Sequence, residues 1–151
     1  MRLLVHTARL PNPRAKIAGY RGPDAFNVTR RGGGAAADPF APSDDLLDAG
    51  LACKRLAKRK RGAPIGSTEE ERLDFAFAWY RELYVEEMRA SYRRRRAAWR
   101  ELLGRGRVVL CCWCGTATRC HRRVLAELLV AVGRRHGVEV VDGGELATGG
   151  A

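Results

Sequence analysis

Two hydrophobic periods run through the chain, and the points where one gives way to the other predict its elements. Arg2–Arg9 (RLLVHTAR) is a short apolar run that reads as a first strand. Pro11, Pro13 and the Gly22-Pro23 turn signal break up the stretch from Leu10 to Asp24, which reads as a loop. In Ala25–Arg30, Phe26 and Val28 alternate with polar neighbours, the pattern of a second strand. Arg31–Ser43 carries a glycine run and one large apolar anchor, Phe40, so loosely packed chain is expected there.

Helical spacing takes over from Ser43. That residue can cap a helix beginning DDLLDAGLACKRLAKRK, with Asp44 and Asp45 at the positive end of its dipole. Arg61–Ser67 ends this helix, and Thr68 with Glu71 then forms a capping-box pattern. Beyond it Leu73, Phe77, Tyr80, Tyr84, Met88 and Tyr92 recur at spacings of four and three, one stripe on one helical face. The spacing predicts a long helix from about Thr68 to Leu103, bent near Ser91 and stopped by Gly104 and Gly106. Arg107–Cys114 then reads as a buried strand, Gly115–Arg119 as a loop, and the segment from Cys120 as a helix ending at Gly133 or Gly137. Val138–Val141 reads as a last strand and Asp142–Ala151 as a frayed tail. Strand, helix and strand at this spacing make a βαβ unit with parallel strands. The pattern thus predicts a small three-layer α/β domain, with a mostly parallel sheet of about four strands and one long amphipathic helix. Residues 1–145 are expected to form a single domain and 146–151 a tail.

Composition narrows the class of partner. A chain of 151 residues, 46% apolar and 30% charged, has an ordinary globular balance and enough length for a core. It holds no apolar run long enough for a bilayer, and its first residues do not form a signal peptide, so a cytoplasmic protein with no membrane partner is expected. Its five cysteines are then expected to be reduced, metal-bound or catalytic. The net charge is +11, and residues 1–66 hold 13 Lys/Arg against 5 Asp/Glu. This favours an anionic partner, either a phosphorylated small molecule or nucleic acid, with a plainly solvated basic surface as the bland alternative.

Four of the cysteines fall in Val108–Val130, VVLCCWCGTATRCHRRVLAELLV. Alternation along the strand puts Cys112 and Cys114 on one side and Cys111 with Trp113 on the other. Cys120 follows at or just before the next helix, at the strand-end edge where open α/β sheets bind ligands. Three readings compete. In the leading one Cys120 is a functional thiol, its ionisation favoured by helix-end amides and by Arg119, Arg122 and Arg123. In another, Cys112, Cys114, Cys120 and His121 hold zinc; the number of soft ligands is right, although the spacing is not a standard one. In the third, small thiols merely fill a tight strand-to-helix corner.

This stretch resembles the signature of domain of unknown function 488 and its phage and bacterial relatives. Those proteins carry a strand ending in cysteine, a short loop, and Cys-His-Arg opening a helix with a Leu-Ala pair. Cys120, His121 and Arg122 match the triplet, and Leu125-Ala126 matches the pair. GYRGPDAFNVTRRGG, FAPS and YRELYVEEMRASYRRRRAAWRELL resemble further segments, so the likeness covers most of the chain. The resemblance implies the fold and the site and supplies no substrate.

The residues together lead to an expected small, thiol-dependent enzyme acting on a nucleotide, nucleoside or other phosphorylated ligand. Cys120 would be the nucleophile or polarised thiol, His121 a proton donor, Arg122 the anion clamp and Cys114 a further ligand contact. Arg21, Asp24, Thr29 and Arg30, beside a glycine run able to approach phosphate, would close the site. No cofactor is required by this reading; zinc belongs to the metal alternative. A second class is a non-catalytic nucleic-acid-binding accessory protein using Arg93, Arg95 and Arg96, with Tyr92 and Trp99 as stacking surfaces, although both aromatics also fit the core stripe. A metal-stapled structural module is the third. His6, at the first strand's end, could reach the same edge but reads more simply as structural.

Overall fold

Strands β1 (Arg2–Arg9), β2 (Ala25–Asn27), β3 (Arg107–Cys112) and β4 (Glu139–Leu146) pair in parallel throughout, in the order β2-β3-β1-β4. The computed structural model describes residues 1–10, 24–30, 34–116 and 118–146. Among these residues five helices accompany the sheet: α1 (Gly34–Ala37), α2 (Asp44–Lys58), α3 (Glu69–Arg94), α4 (Arg96–Leu103) and α5 (His121–Arg135). The small α/β domain, the parallel four-stranded sheet and the long helix expected from the sequence are all observed.

Local chemistry sets the element boundaries. The Thr68–Glu71 capping box closes reciprocally at the start of α3, and Ser43 Oγ accepts from the Leu46 amide at the start of α2. β2 is shorter than its alternation predicted. The Asn27 side chain accepts from the Thr29 amide and hydroxyl, an Asx turn that draws the backbone out of the sheet. The long helix breaks at Arg95 (φ −130°, ψ 44°) rather than near Ser91, and α4 turns so that Trp99, Leu102 and Leu103 enter the core. The Ser91 hydroxyl, which donates to the Pro39 carbonyl, accepts from Trp99 Nε1 across that break.

Two stretches are more ordered than the sequence pattern implied. Within the described part of the glycine-rich stretch, residues 34–43, Phe40 is buried edge-on against Phe26 and Trp99, and its carbonyl accepts from the Tyr84 hydroxyl. The segment read as a tail continues β4 as far as Leu146, paired with Ala8 of β1. Glu145 there supplies the carboxylate that two other elements require, as described below.

Core packing explains two glycines. Gly50 brings α2 onto α3 so closely that a Cβ would lie 2.7 Å from the Tyr80 ring. Gly133 plays the same part between α5 and β4, where a Cβ would lie 2.8 Å from the Val138 carbonyl oxygen. Among the described residues no helix is long and apolar enough to cross a membrane.

Candidate functional site

β3 delivers the cysteines to opposite faces of the sheet, as alternation requires. Cys111 is buried with Ala8 and Val109 on one face, where burial pushes its thiol pKa up; it fills space and faces away from the other thiols. Cys112 belongs to the main core on the other face. The strand ends there, and the chain swings Trp113 half into solvent while returning Cys114 beside Cys112, with the two Sγ atoms 3.8 Å apart. Cys120 is the N-cap residue of α5 and His121 its first residue, so both reach the same point from the helix side.

His121 joins the thiols in a defined protonation state. Its Nε2 lies 2.9 Å from the Val28 carbonyl oxygen, which can only accept, so Nε2 carries the proton and Nδ1 is bare. That Nδ1 faces Cys112 Sγ at 3.8 Å and Cys120 Sγ at 3.9 Å. Burial lowers the His121 pKa and keeps the ring neutral. Cys112, Cys120 and His121 are all buried, and their ligand atoms lie within 4.8 Å of one another, a cluster that could hold a metal ion. The thiols titrate as a group. Hydrogen bonds from Cys112 and then Cys120 hold Cys114 low, while burial pushes Cys120 well above the ordinary thiol range.

A cavity of about 470 Å³ opens onto this cluster. Cys112, Cys114, Cys120 and His121 line it, together with Leu47, Leu73, Phe77, Tyr80 and Trp113. Four cationic side chains also line it: Arg30, Lys54, Lys58 and Arg119. Arg30 is held by Asp38 and the Pro42 carbonyl, and Arg119 by Glu70 and Asp74. Lys54 and Lys58, one helical turn apart on α2 and exposed, have no ion-pair partner among the described residues; Glu69 is the one carboxylate in the lining.

Residues 37–133 match the family model described as the active DUF488-N3 subclade. The chain belongs to that family. The match runs from α1 to α5 and takes in the whole DUF488-N3 cavity lining apart from Thr29 and Arg30. No curated protein and no solved structure matches the chain.

In this DUF488-N3 chain the predicted site residues divide cleanly. Cys114, Cys120, His121, Thr29 and Arg30 all line the cavity. Asp24 does not; it caps the β2 edge, where its carbonyl accepts from the Val109 amide. Arg21 lies outside the described residues. Arg122, expected as the anion clamp, is fully buried and does not line the cavity. Its guanidinium binds Glu145 of β4 at 2.8 Å and the Cys114 carbonyl at 3.0 Å, so it fixes the loop that carries Cys114. Burial opposes the charge on Glu145, and hydrogen bonds from Arg122 and Thr7 overcome it, holding the carboxyl below its usual range. The expected ionisation of Cys120 is corrected for the same reason. Arg119, Arg122 and Arg123 are all engaged by carboxylates, and the thiol itself is buried. His121 is corrected too: with its only N–H on Val28, its free nitrogen accepts rather than donates.

Arg93, Arg95 and Arg96 lie around the α3–α4 break and do not line the cavity. Arg95 lies 3.8 Å from Asp38, and Arg96 sits over the Tyr92 ring at 5.7 Å. Trp99 is buried and the Tyr92 hydroxyl meets His136 Nε2 at 2.8 Å, so packing accounts for both aromatics. His6 Nδ1 is buried without a hydrogen-bond partner among the described residues, and its ring lies against Gly143. Sequence reasoning missed Lys54 and Lys58, whose i,i+4 spacing was the available signal, and Phe77 and Tyr80, which the stripe assigned wholly to the core.

Proposed function

We propose that this protein is a small enzyme that takes a nucleotide, nucleoside or other phosphorylated ligand into the α2–α3 cavity. Cys114 would be the thiol that reaches the ligand, held ionised by hydrogen bonds from Cys112 and Cys120, and the bare Nδ1 of His121 would accept a hydrogen bond from one of those two thiols. The observation carrying this reading is the cavity itself, a largely apolar space lined by aromatic side chains, three thiols and a neutral imidazole. Cys114 takes the role first considered for Cys120 because it is only partly buried, whereas Cys120 is 1% exposed. Calorimetric titration with nucleosides and their 5′-monophosphates is expected to find a ligand with Kd below the millimolar range that slows alkylation of Cys114. A Cys114→Ser protein should bind that ligand and fail to turn it over. If no compound of this class binds, the reading is wrong.

The spacing of the sulfurs favours a second reading, zinc. Tetrahedral zinc with Zn–S of about 2.3 Å separates its sulfurs by roughly 3.8 Å, which is the Cys112–Cys114 distance. Cys112, Cys120 and His121, whose ligand atoms lie within 4.8 Å of one another, would then hold the ion, with the Val28 carbonyl orienting the imidazole from behind as metal-bound histidines require. Cys114, 3.8 Å from Cys112 but outside that cluster, would have to shift to serve as a fourth ligand. On this reading purified protein carries about one equivalent of zinc and loses stability on chelation. Protein that is metal-free as isolated, gains none from added zinc and melts unchanged with chelator would eliminate it.

A further inference from the structure

The three thiols that line the cavity differ in access. Cys114 is partly exposed, whereas Cys112 and Cys120 are 4% and 1% exposed. Cys112 Sγ lies 3.8 Å from Cys114 Sγ. We propose that Cys112 and Cys114 are a reversible redox pair, in which a peroxide oxidises Cys114, Cys112 closes a disulfide onto it, and the site is thereby switched off. The pairing stands on the placement of the sulfurs. Its regulatory role rests on the function proposed above, in which Cys114 is the thiol that meets the ligand.

In the first step the Cys114 sulfur attacks hydrogen peroxide. An S–O bond forms, the O–O bond breaks, and one water leaves a sulfenic acid on Cys114. In the second the Cys112 sulfur attacks the Cys114 sulfur. An S–S bond forms, the S–O bond breaks, and the Cys112 proton departs with the hydroxide as water. Two electrons have then passed from the two thiols to the peroxide, and a thiol reductant reverses the bond by exchange. Closure brings the sulfurs from 3.8 Å to about 2.05 Å. β3 and its ladder to β1 end at Cys112, and Trp113 stands half in solvent, so the residues that must turn are not fixed by the sheet. Arg122 meanwhile holds the Cys114 carbonyl and keeps that loop at the strand end. The other thiols are poorer partners. Cys111 is on the opposite face of the sheet, Cys53 does not line the cavity, and Cys120 caps α5, so drawing it to Cys114 would pull on the start of that helix.

Trypsin makes the test specific, because cleavage after Arg107 and Arg119 puts Cys111, Cys112 and Cys114 on one peptide and Cys120 on the next. The full chain as purified is treated with a few equivalents of hydrogen peroxide, then denatured, alkylated and digested. The peptide of residues 108–119 should emerge with Cys112 and Cys114 joined and an alkyl group on Cys111 alone, while Cys120 alkylates fully. Dithiothreitol should return both thiols. In Cys112→Ala protein the disulfide should be absent, and dimedone should trap Cys114 as its sulfenic acid. The oxidised parent should bind nucleosides or their 5′-monophosphates without turning them over, as Cys114→Ser does, and recover with dithiothreitol. A cross-link between Cys114 and Cys120, or Cys114 left reduced or irreversibly oxidised beside a free Cys112, overturns the pair. A Cys112–Cys114 bond in protein that binds none of these ligands supports the pair and removes the function it was to regulate.

Discussion

Arg122 offers the sharpest test of how the site is held, because the sequence suggested a ligand clamp and the structure makes it an internal strut. Its side chain is 1% exposed and that of Glu145 33%. Replacing Arg122 with Met keeps much of the aliphatic volume and removes three hydrogen bonds, two to Glu145 and one to the Cys114 carbonyl. An orphaned buried carbonyl costs about 1–3 kcal/mol. Loss of a buried ion-pair partner costs about 3–5 kcal/mol, a figure that must be reduced here because Glu145 can recover water over a third of its side chain. A net loss of roughly 2–4 kcal/mol is expected. Glu145→Gln should cost somewhat less, since a neutral amide oxygen can still accept from the guanidinium. The double substitution should fall short of the sum by about 1–2 kcal/mol, the signature of a shared interaction. Urea unfolding of the four proteins measures all these quantities. Alkylation of Cys114 in folded Arg122→Met should also change in rate, because the loop carrying it has lost its tie. Additivity within 0.5 kcal/mol, together with unchanged alkylation, would refute the strut.

Gly133→Ala should destabilise the protein by about 1–3 kcal/mol, since its methyl meets both the branched Val140 side chain and the Val138 carbonyl; a loss below 0.5 kcal/mol in urea would mean that α5 and β4 do not pack as described. Glu145 sets a pH dependence with a definite sign. Its folded pKa lies below its unfolded value, so the stability it contributes is fully present above the ordinary carboxylate range and is lost as pH falls through the lowered value. Unfolding curves between pH 7 and pH 3 should therefore bring the parent protein and Glu145→Gln together in acid, and a constant gap between them would contradict the assignment.

Local chemistry was readable along the chain. The Thr68–Glu71 box, the Ser43 cap and the alternation in β3 each depend on residues a few positions apart, and each appears in the structure where the pattern put it. The same locality made the meeting of Cys112, Cys114, Cys120 and His121 legible, because one strand end and one helix start carry all four. The arginines were not readable in this way. Nothing near Arg122 in sequence announces that Glu145, 23 residues on and in what looked like a tail, is its partner, because β4 reaches it only through pairing with β1. Arg119 is likewise claimed by Glu70 and Asp74, more than 40 residues upstream on α3. Charge counted along the chain is formal charge; whether a cation is available depends on which carboxylates the packing brings beside it. The sequence by itself therefore determined the elements, the cluster and the edge of the sheet where it lies. Only the tertiary structure decided which of the three cysteines lining the cavity is partly exposed, which cations lack a carboxylate partner among the described residues, and that α2, brought down on Gly50, walls the space they share.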